Sequence, residues 1–303
     1  MTTPSPSASA AGEQPRERQD RAYRSGARMA RERIAREAPL DAEALATVEA
    51  SDVVVVAGTY DHVEQVLGAL EMPFTAIASA QLEQVELRPE QLLVLNCPGD
   101  VGDVNVGRIR AFVEGGGSLF STDWALERVV QRAFPNTVER GGRDTRDDVV
   151  PIEILDHDNP FLRGVMDGED EPRWWLESSS YPIRVVDARR VQVLIRSSEL
   201  DARYGEAPVA VVFEWGAGEV FHMISHYYLQ RTELRSRRQQ QDGSAYFAEK
   251  GMAVPADIAD DLRQLRVGEV ESAATSSRLF ANAVARKKRV VQEQRRRQED
   301  GAR

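Results

Sequence analysis

The chain has 303 residues, of which 42% are hydrophobic, so it can form one large domain or two ordinary ones with a sizeable core. Its only cysteine, Cys97, excludes an internal disulfide and a cysteine-based zinc cage. No segment approaches the roughly 18 apolar residues that span a bilayer, and the first residues lack the apolar core of a signal peptide. We therefore expect a soluble, cytoplasmic protein with no membrane span.

The formal net charge of −10 is distributed unevenly along the chain. Residues 16–37 carry a net charge of +4 and residues 278–303 carry +6, while residues 38–277 carry −19. An acidic body thus stands between two basic arms, which can fold back on the body, stay solvated or meet another protein. A nucleic-acid partner is disfavoured, because the body would repel phosphate and the arms lack interleaved aromatic residues.

The N-terminal part divides into a tail and a helical arm. Residues 1–15 are rich in Pro, Ser and Ala, so we expect a disordered tail. Residues 16–50 form a basic arm with high helix propensity, in which Asp41 can begin a short second helix. From residue 52 the pattern changes to a continuous run of valines that ends in glycine, which is typical of a strand buried on both faces of a parallel sheet.

Strands and helices then alternate at short spacing. We expect strands over 52–58, 74–77, 92–96 and 118–122, and helices over 61–70, 106–114 and 123–134. This alternation predicts an α/β fold with a doubly wound, mostly parallel, flavodoxin-like sheet.

The second half is richer in β-structure, and helices follow it. Its expected strands cover 149–155, 181–186, 191–195, 209–213 and 219–224, and the last two of these form a hairpin around residues 216–218. We therefore place one α/β domain over 51–230. Residues 231–303 form a polar linker and C-terminal helices with a basic end and a narrow apolar seam, which a partner helix could use.

Three short motifs occur in a fixed order along this domain. They are Phe-Val-Glu-Gly-Gly-Gly-Ser-Leu at 112–119, Asn-Pro-Phe-Leu-Arg-Gly at 159–164, and Gly-Ala-Gly-Glu-Val-Phe at 216–221 followed by Ser225-His226. Together they resemble the class I glutamine amidotransferase-like superfamily, and its ThuA-like proteins in particular, over roughly residues 52–230. The resemblance implies a flavodoxin-like fold.

The chain departs from that superfamily at its catalytic positions. Catalytic members place a cysteine on a strand-to-helix elbow, where the helix dipole favours a thiolate, and use a later His-x-Glu pair. Here the junction at 121–125 reads Ser-Thr-Asp-Trp-Ala, and Tyr227 and Tyr228 follow His226. We interpret Asp123 as a helix N-cap and expect no amidotransferase activity.

Candidate site residues follow strands that should end at the carboxyl edge of the sheet, where α/β proteins bind ligands. The predicted ligand-binding residues are Gly58, Thr59, Asn96, Cys97, Asp123, Trp124 and His226. Cys97, Asp123 and His226 are also the catalytic candidates. The alternative for Cys97 is a buried structural thiol, since no helix begins directly after it, and the alternative for His226 is a hydrogen-bonded histidine at a strand end.

The histidines could in principle bind a metal. His222 and His226 would share one face of a regular strand, a spacing that suits a metal, but no Asp or Glu in the same run completes the ligand set. We interpret His157 as a turn residue, and Asp61 with His62 as an exposed, capped helix start. The sequence therefore predicts no metal and no cofactor.

Adjacent Trp174 and Trp175 are candidate interface residues. Neighbouring residues on a strand point to opposite sides, so one ring can pack inward while the other meets a partner. The acidic run at 169–171 places the pair on a polar loop or edge. Core packing of both rings is the alternative.

Two functions fit these features. The first is a non-catalytic binding or scaffold protein that acts through protein partners, or through a small ligand at the carboxyl edge. Its terminal helices could also form a homo-oligomer. The alternative is a hydrolase or carbohydrate-processing enzyme of ThuA-like type, which requires Cys97, Asp123 and His226 to converge.

Overall fold

The computed structural model describes residues 15–167, 173–226 and 236–301. Its strands are β1 (Val53–Val56), β2 (Thr75–Ile77), β3 (Leu92–Leu95), β4 (Ser118–Thr122), β5 (Val138–Arg140), β6 (Asp148–Pro151), β7 (Glu153–Ile154), β8 (Arg173–Leu176), β9 (Ile183–Val185), β10 (Val191–Arg196), β11 (Pro208–Trp215) and β12 (Gly218–Met223). Its helices are α1 (Pro15–Glu37), α2 (Pro39–Leu45), α3 (Val63–Ala69), α4 (Asp103–Glu114), α5 (Gln131–Ala133), α6 (Ser198–Tyr204), α7 (Ser244–Glu249), α8 (Ala259–Gln264) and α9 (Val267–Gly301).

One eight-stranded sheet forms the centre of the fold, in the order β2-β1-β3-β4-β12-β11-β10-β7. The strands from β2 to β12 run parallel, and β11, β10 and β7 add antiparallel pairs at the other side. All four residues of β1 and of β3 are buried, as expected for apolar strands covered on both faces. The predicted flavodoxin-like α/β fold with a β-rich second half is confirmed.

The helices cover both faces of this sheet. The chain passes from β1 through α3 to β2 on one side, and from β3 through α4 to β4 on the other side. Because such crossovers are right-handed, α3 and α4 lie on opposite faces. Helix α9 packs beside α3, and its Phe280 ring meets Phe120 of β4 at a centroid distance of 5.4 Å. Helix α9 is therefore part of the layer that covers the sheet.

The helical extensions predicted at both ends are confirmed, and they pack against each other. Arg18 of α1 donates two hydrogen bonds to Glu269 of α9, at 2.7 and 2.8 Å. Farther along, the buried Arg278 guanidinium lies 3.1 Å from a Glu37 carboxylate oxygen. Most of the expected disordered tail, the acidic run at 169–171 and the start of the polar linker lie outside the described residues.

Several elements differ from the sequence expectation. Helix α6 was missed, although Ser197 accepts a hydrogen bond from the Leu200 N–H at 3.1 Å and Gly205 ends the helix with φ of 93°. The helix expected from residue 123 begins later, with a π-helical turn at Leu126–Val130 that leads into α5. In the described part of the chain, no helix is long and apolar enough to cross a membrane.

Candidate functional site

Three of the predicted site residues meet at the carboxyl edge of the parallel strands. Cys97 follows β3, Asp123 follows β4, and His226 lies just beyond β12. The Cys97 sulfur, an Asp123 carboxylate oxygen and a His226 ring nitrogen all lie within 4.8 Å of one another, and all three residues are buried. The three candidate side chains therefore lie close together, and their catalytic role stays a prediction.

Asp123 occupies the strand-to-helix elbow in a strained conformation, with φ of 45°. Its carboxylate accepts hydrogen bonds from the Tyr181 N–H at 2.9 Å and the Ser180 hydroxyl at 3.2 Å. The interpretation of Asp123 as a helix N-cap is wrong, because these partners from another segment turn the carboxylate away from the helix that follows. The Cys97 sulfur comes from the segment after the neighbouring strand β3 and lies within 4.8 Å of an Asp123 carboxylate oxygen.

Two carboxylates determine the orientation of His226. The Nδ1 atom donates to Glu177 Oε2 at 2.5 Å, and the Nε2 atom lies 3.5 Å from Asp123 Oδ2. Burial alone would lower the pKa of His226. The nearby Cys97 sulfur, the hydrogen bond to Glu177 and the negative charges of Asp61 and Asp123 together outweigh burial and raise that pKa to about 11. The surrounding negative charge therefore favours the imidazolium form of the ring.

Burial favours the neutral forms of Asp123 and Cys97. Burial raises the pKa of Asp123 to about 6, despite the nearby His226 charge. Burial also raises the pKa of the Cys97 thiol, and the Asp123 charge adds to that increase. Although the nearby His226 lowers the pKa of this thiol, burial outweighs it and favours the neutral thiol over the thiolate that a nucleophile requires.

Asp61 is a site residue that sequence reasoning missed. It is fully buried, and its Oδ2 atom accepts a hydrogen bond from the Thr122 hydroxyl at 2.7 Å. Its Oδ1 atom has no hydrogen-bond partner within the described chain. The interpretation of Asp61 as part of an exposed, capped helix start is wrong, although His62 is exposed. Its place shortly after β1 was the available signal, since Cys97 follows β3 in the same way.

Three other predicted residues support the loop that carries Cys97. A Cβ atom on Gly58 would lie 2.2 Å from the Cys97 carbonyl oxygen, so only glycine fits there. The Thr59 N–H donates to that oxygen at 3.0 Å. The Asn96 amide donates to Glu64 at 2.9 Å. Their contacts fix the backbone of the site, and ligand binding by these three residues stays a prediction.

Aromatic rings lie beside Cys97, Asp123 and His226, which are called the trio below. The Trp124 indole N–H donates to the Ser179 carbonyl at 2.7 Å, and its ring stacks on Tyr181 with centroids 5.7 Å apart. Tyr60 meets the Trp124 ring edge-on at 5.3 Å and is 49% exposed. These rings give the site a partly exposed aromatic wall.

Two predicted histidines lie apart from the site. His222 is fully buried and lies 2.9 Å from the Ser121 hydroxyl. Strand β12 ends at Met223 and Ser225 takes a φ of 63°, so the expected alternation does not continue to His226. His157 is exposed on the segment between β7 and β8.

The tryptophan pair lies in β8 and is anchored by hydrogen bonds. The Trp174 indole donates to the Ile224 carbonyl at 3.0 Å, and the Trp175 indole donates to Asp147 at 2.7 Å. Both residues are half-buried. Their role at an interface stays a prediction.

The fold and site together define a doubly wound α/β protein with a polar cluster at the carboxyl edge of its sheet. No family model matches the sequence. No curated protein matches it either.

Solved structures share part of the architecture. A cytoplasmic protein from Salmonella typhimurium is 10% identical, with a TM-score of 0.42 over 60% of this chain and 91% of that one. A ThuA-like protein from Bacteroides uniformis is 12% identical, with a TM-score of 0.41 over 56% and 80%. The carbohydrate deacetylase Agd3 is 15% identical, with a TM-score of 0.41 over 58% of this chain and 29% of Agd3.

Proposed function

We propose that this chain is a hydrolase that acts on a small polar substrate at the carboxyl edge of its sheet. The observation that carries the proposal is the convergence of Cys97, Asp123 and His226 within 4.8 Å. They come from three segments that are distant in sequence, and they sit where α/β folds bind ligands. Separate structural roles for each side chain would not require their reactive atoms to meet.

Water, rather than Cys97, is the nucleophile in this proposal. The thiol is buried beside the Asp123 carboxylate, which opposes a second negative charge. His226, which Glu177 holds in place, can stabilise negative charge that develops on the substrate. The half-exposed Tyr60 ring beside Trp124 offers an apolar surface to a substrate such as a sugar ring.

The test is turnover of a panel of chromogenic esters, amides and glycosides by the full chain. His226→Gln should lower kcat/KM for the best substrate by at least about 100-fold, the usual contribution of one acid–base or charge-stabilising group. Circular dichroism checks that the variant is folded, and the exposed His157→Gln serves as the matched control. The proposal fails if the wild type turns over no substrate in the panel, or if His226→Gln retains full activity.

A non-catalytic binding or scaffold protein is the second candidate. It is favoured by the burial of the trio, since Cys97 is 1% and Asp123 2% exposed, which leaves a substrate little access. In this case, substitution of the trio would not weaken binding to a protein partner, or to a second copy of the chain held through the terminal helices. Light scattering and affinity purification with wild type and His226→Gln distinguish the two candidates, because only the scaffold role predicts equal association and no turnover.

A further inference from the structure

We propose that the Cys97 sulfur, Asp123 Oδ2 and His226 Nε2 form a three-ligand site for a divalent transition-metal ion, with zinc as the best fit and the fourth position open. The inference rests on the proposed function: it uses the same site, and the ion that His226 would hold would activate the water and stabilise negative charge on the substrate in place of the His226 ring itself. Metal binding is measured without any substrate, so each idea can fail separately.

The spacing of the three atoms fits metal coordination better than direct hydrogen bonding. His226 Nε2 and Asp123 Oδ2 lie 3.5 Å apart, beyond the usual length of a charge-assisted hydrogen bond. Zinc bonds of about 2.0–2.3 Å in tetrahedral geometry place neighbouring ligand atoms about 3.3–3.6 Å apart. All three ligand atoms, including the Cys97 sulfur, lie within 4.8 Å of one another. Small side-chain movements would therefore bring them to the distances of a zinc site.

The surrounding hydrogen bonds orient two of these ligands. Glu177 accepts the Nδ1–H of His226 at 2.5 Å, which fixes the ring so that Nε2 is directed towards Asp123. Zinc-bound histidines usually have such a carboxylate partner on their second nitrogen. The Tyr181 N–H and the Ser180 hydroxyl hold the Asp123 carboxylate in the same way. A histidine that served only the core would not need this arrangement.

The charges of the cluster also favour a cation. Asp61, Asp123 and Glu177 are three carboxylates grouped around one imidazole, and Asp61 and Asp123 are buried. Buried carboxylates require compensation by hydrogen bonds or positive charge. The Oδ1 atom of Asp61 is fully buried and has no hydrogen-bond partner within the described residues. A divalent ion that displaces the protons of the His226 ring and the Cys97 thiol would supply the compensating positive charge.

The donor types select the metal. A thiolate with an imidazole and one carboxylate suits zinc, whereas magnesium and calcium prefer oxygen ligands alone. Three protein ligands leave a position for water, which is the pattern of catalytic rather than structural zinc sites. A zinc-bound water ionises near neutral pH and can attack a substrate.

The test uses the full chain after removal of metals with a chelator. Calorimetric titration with Zn²⁺ should show one ion bound per chain. Substitution by Co²⁺ should give a thiolate charge-transfer band and the intense visible bands of a tetrahedral site. Cys97→Ser should remove the charge-transfer band and weaken zinc binding by more than about 100-fold, because it removes a direct ligand.

Glu177→Gln tests the orienting contact and should weaken zinc binding by about 10- to 100-fold while keeping the charge-transfer band. Glu127→Gln, a carboxylate that pairs with Arg140 outside the trio, is the matched control and should bind zinc as the wild type does. The inference is overturned if the wild type binds no zinc stoichiometrically, if it prefers Mg²⁺, or if Cys97→Ser leaves binding unchanged. Zinc binding without turnover overturns only the hydrolase, and turnover by the metal-free chain overturns the activation of the water by the ion.

Discussion

His222 should make the protein sensitive to acid. The residue is fully buried in β12, and burial lowers the pKa of its imidazole to about 3, against about 6.5 in an unfolded chain. Between these two values the unfolded state binds the proton and the folded state does not. Stability from this residue is therefore complete above about pH 6.5 and is lost as the pH falls towards 3.

The magnitude follows from the difference in pKa. Each pKa unit corresponds to about 1.4 kcal/mol, so a difference of about 3.5 units corresponds to about 5 kcal/mol at most. That loss is comparable to the whole stability of many domains, about 5–15 kcal/mol. The Nδ1 contact to the Ser121 hydroxyl at 2.9 Å is compatible with a neutral ring. The Nε2 atom has no hydrogen-bond partner in the described chain, so nothing there would accept a hydrogen bond from a second N–H group of a protonated ring.

His222→Gln removes the titrating group while keeping a polar side chain. Urea unfolding at pH 4 to 8 should show that the free energy of unfolding of the wild type falls more steeply below pH 6, by up to about 1.4 kcal/mol per pH unit relative to the variant. Every other titrating group is shared, so the difference between the two profiles isolates His222. Equal slopes would refute the reasoning, and the exposed His157→Gln should follow the wild type.

Three further substitutions test other contacts. Gly58→Ala should lower the free energy of unfolding in urea by about 2 kcal/mol or more, because its Cβ would lie 2.2 Å from the Cys97 carbonyl oxygen. A variant as stable as the wild type would contradict that close approach. Asn282→Ala should lower the free energy of unfolding in urea by about 1–3 kcal/mol, since its amide donates to the carbonyls of Phe161 and Arg163 at 3.0 and 2.9 Å. Arg18→Ala should cost less than about 1 kcal/mol, and less still in high salt, because the pair with Glu269 is partly exposed; a larger or salt-independent loss in a urea titration would contradict this.

The sheet could be predicted from the sequence because its buried strands consist of continuous apolar residues. The valines of β1 and the Leu-Leu-Val-Leu run of β3 are apolar on both faces, and only a covered parallel sheet accommodates that pattern. Helix α6 also had readable signals, a Ser197 cap and a terminal Gly205, but it lacks a long apolar stripe. Local periodicity therefore gave the architecture and missed the short elements.

The candidate site could be predicted only in part, because its contacts join distant segments. The position of Cys97, Asp123 and His226 at strand ends was visible in the sequence. The role of Glu177 was not, since it approaches His226 from a segment 49 residues earlier. Asp123 was misassigned because a carboxylate before a helix usually caps it, whereas here Ser180 and Tyr181 compete successfully for its oxygens.

The strand-to-helix elbow at Asp123 lacks a cysteine, but the thiol of Cys97 lies close to it. The elbow at Asp123 keeps its strained backbone, and a positive φ outside glycine costs on the order of 1–3 kcal/mol. The Cys97 sulfur, from the segment after β3, lies within 4.8 Å of an Asp123 carboxylate oxygen, so a sulfur still lies beside the elbow. A strained backbone and buried acids are costly, and apolar residues of similar size would often be more stable. The expected lack of amidotransferase activity therefore stays a prediction, and the proposed hydrolase and zinc site concern the same three side chains.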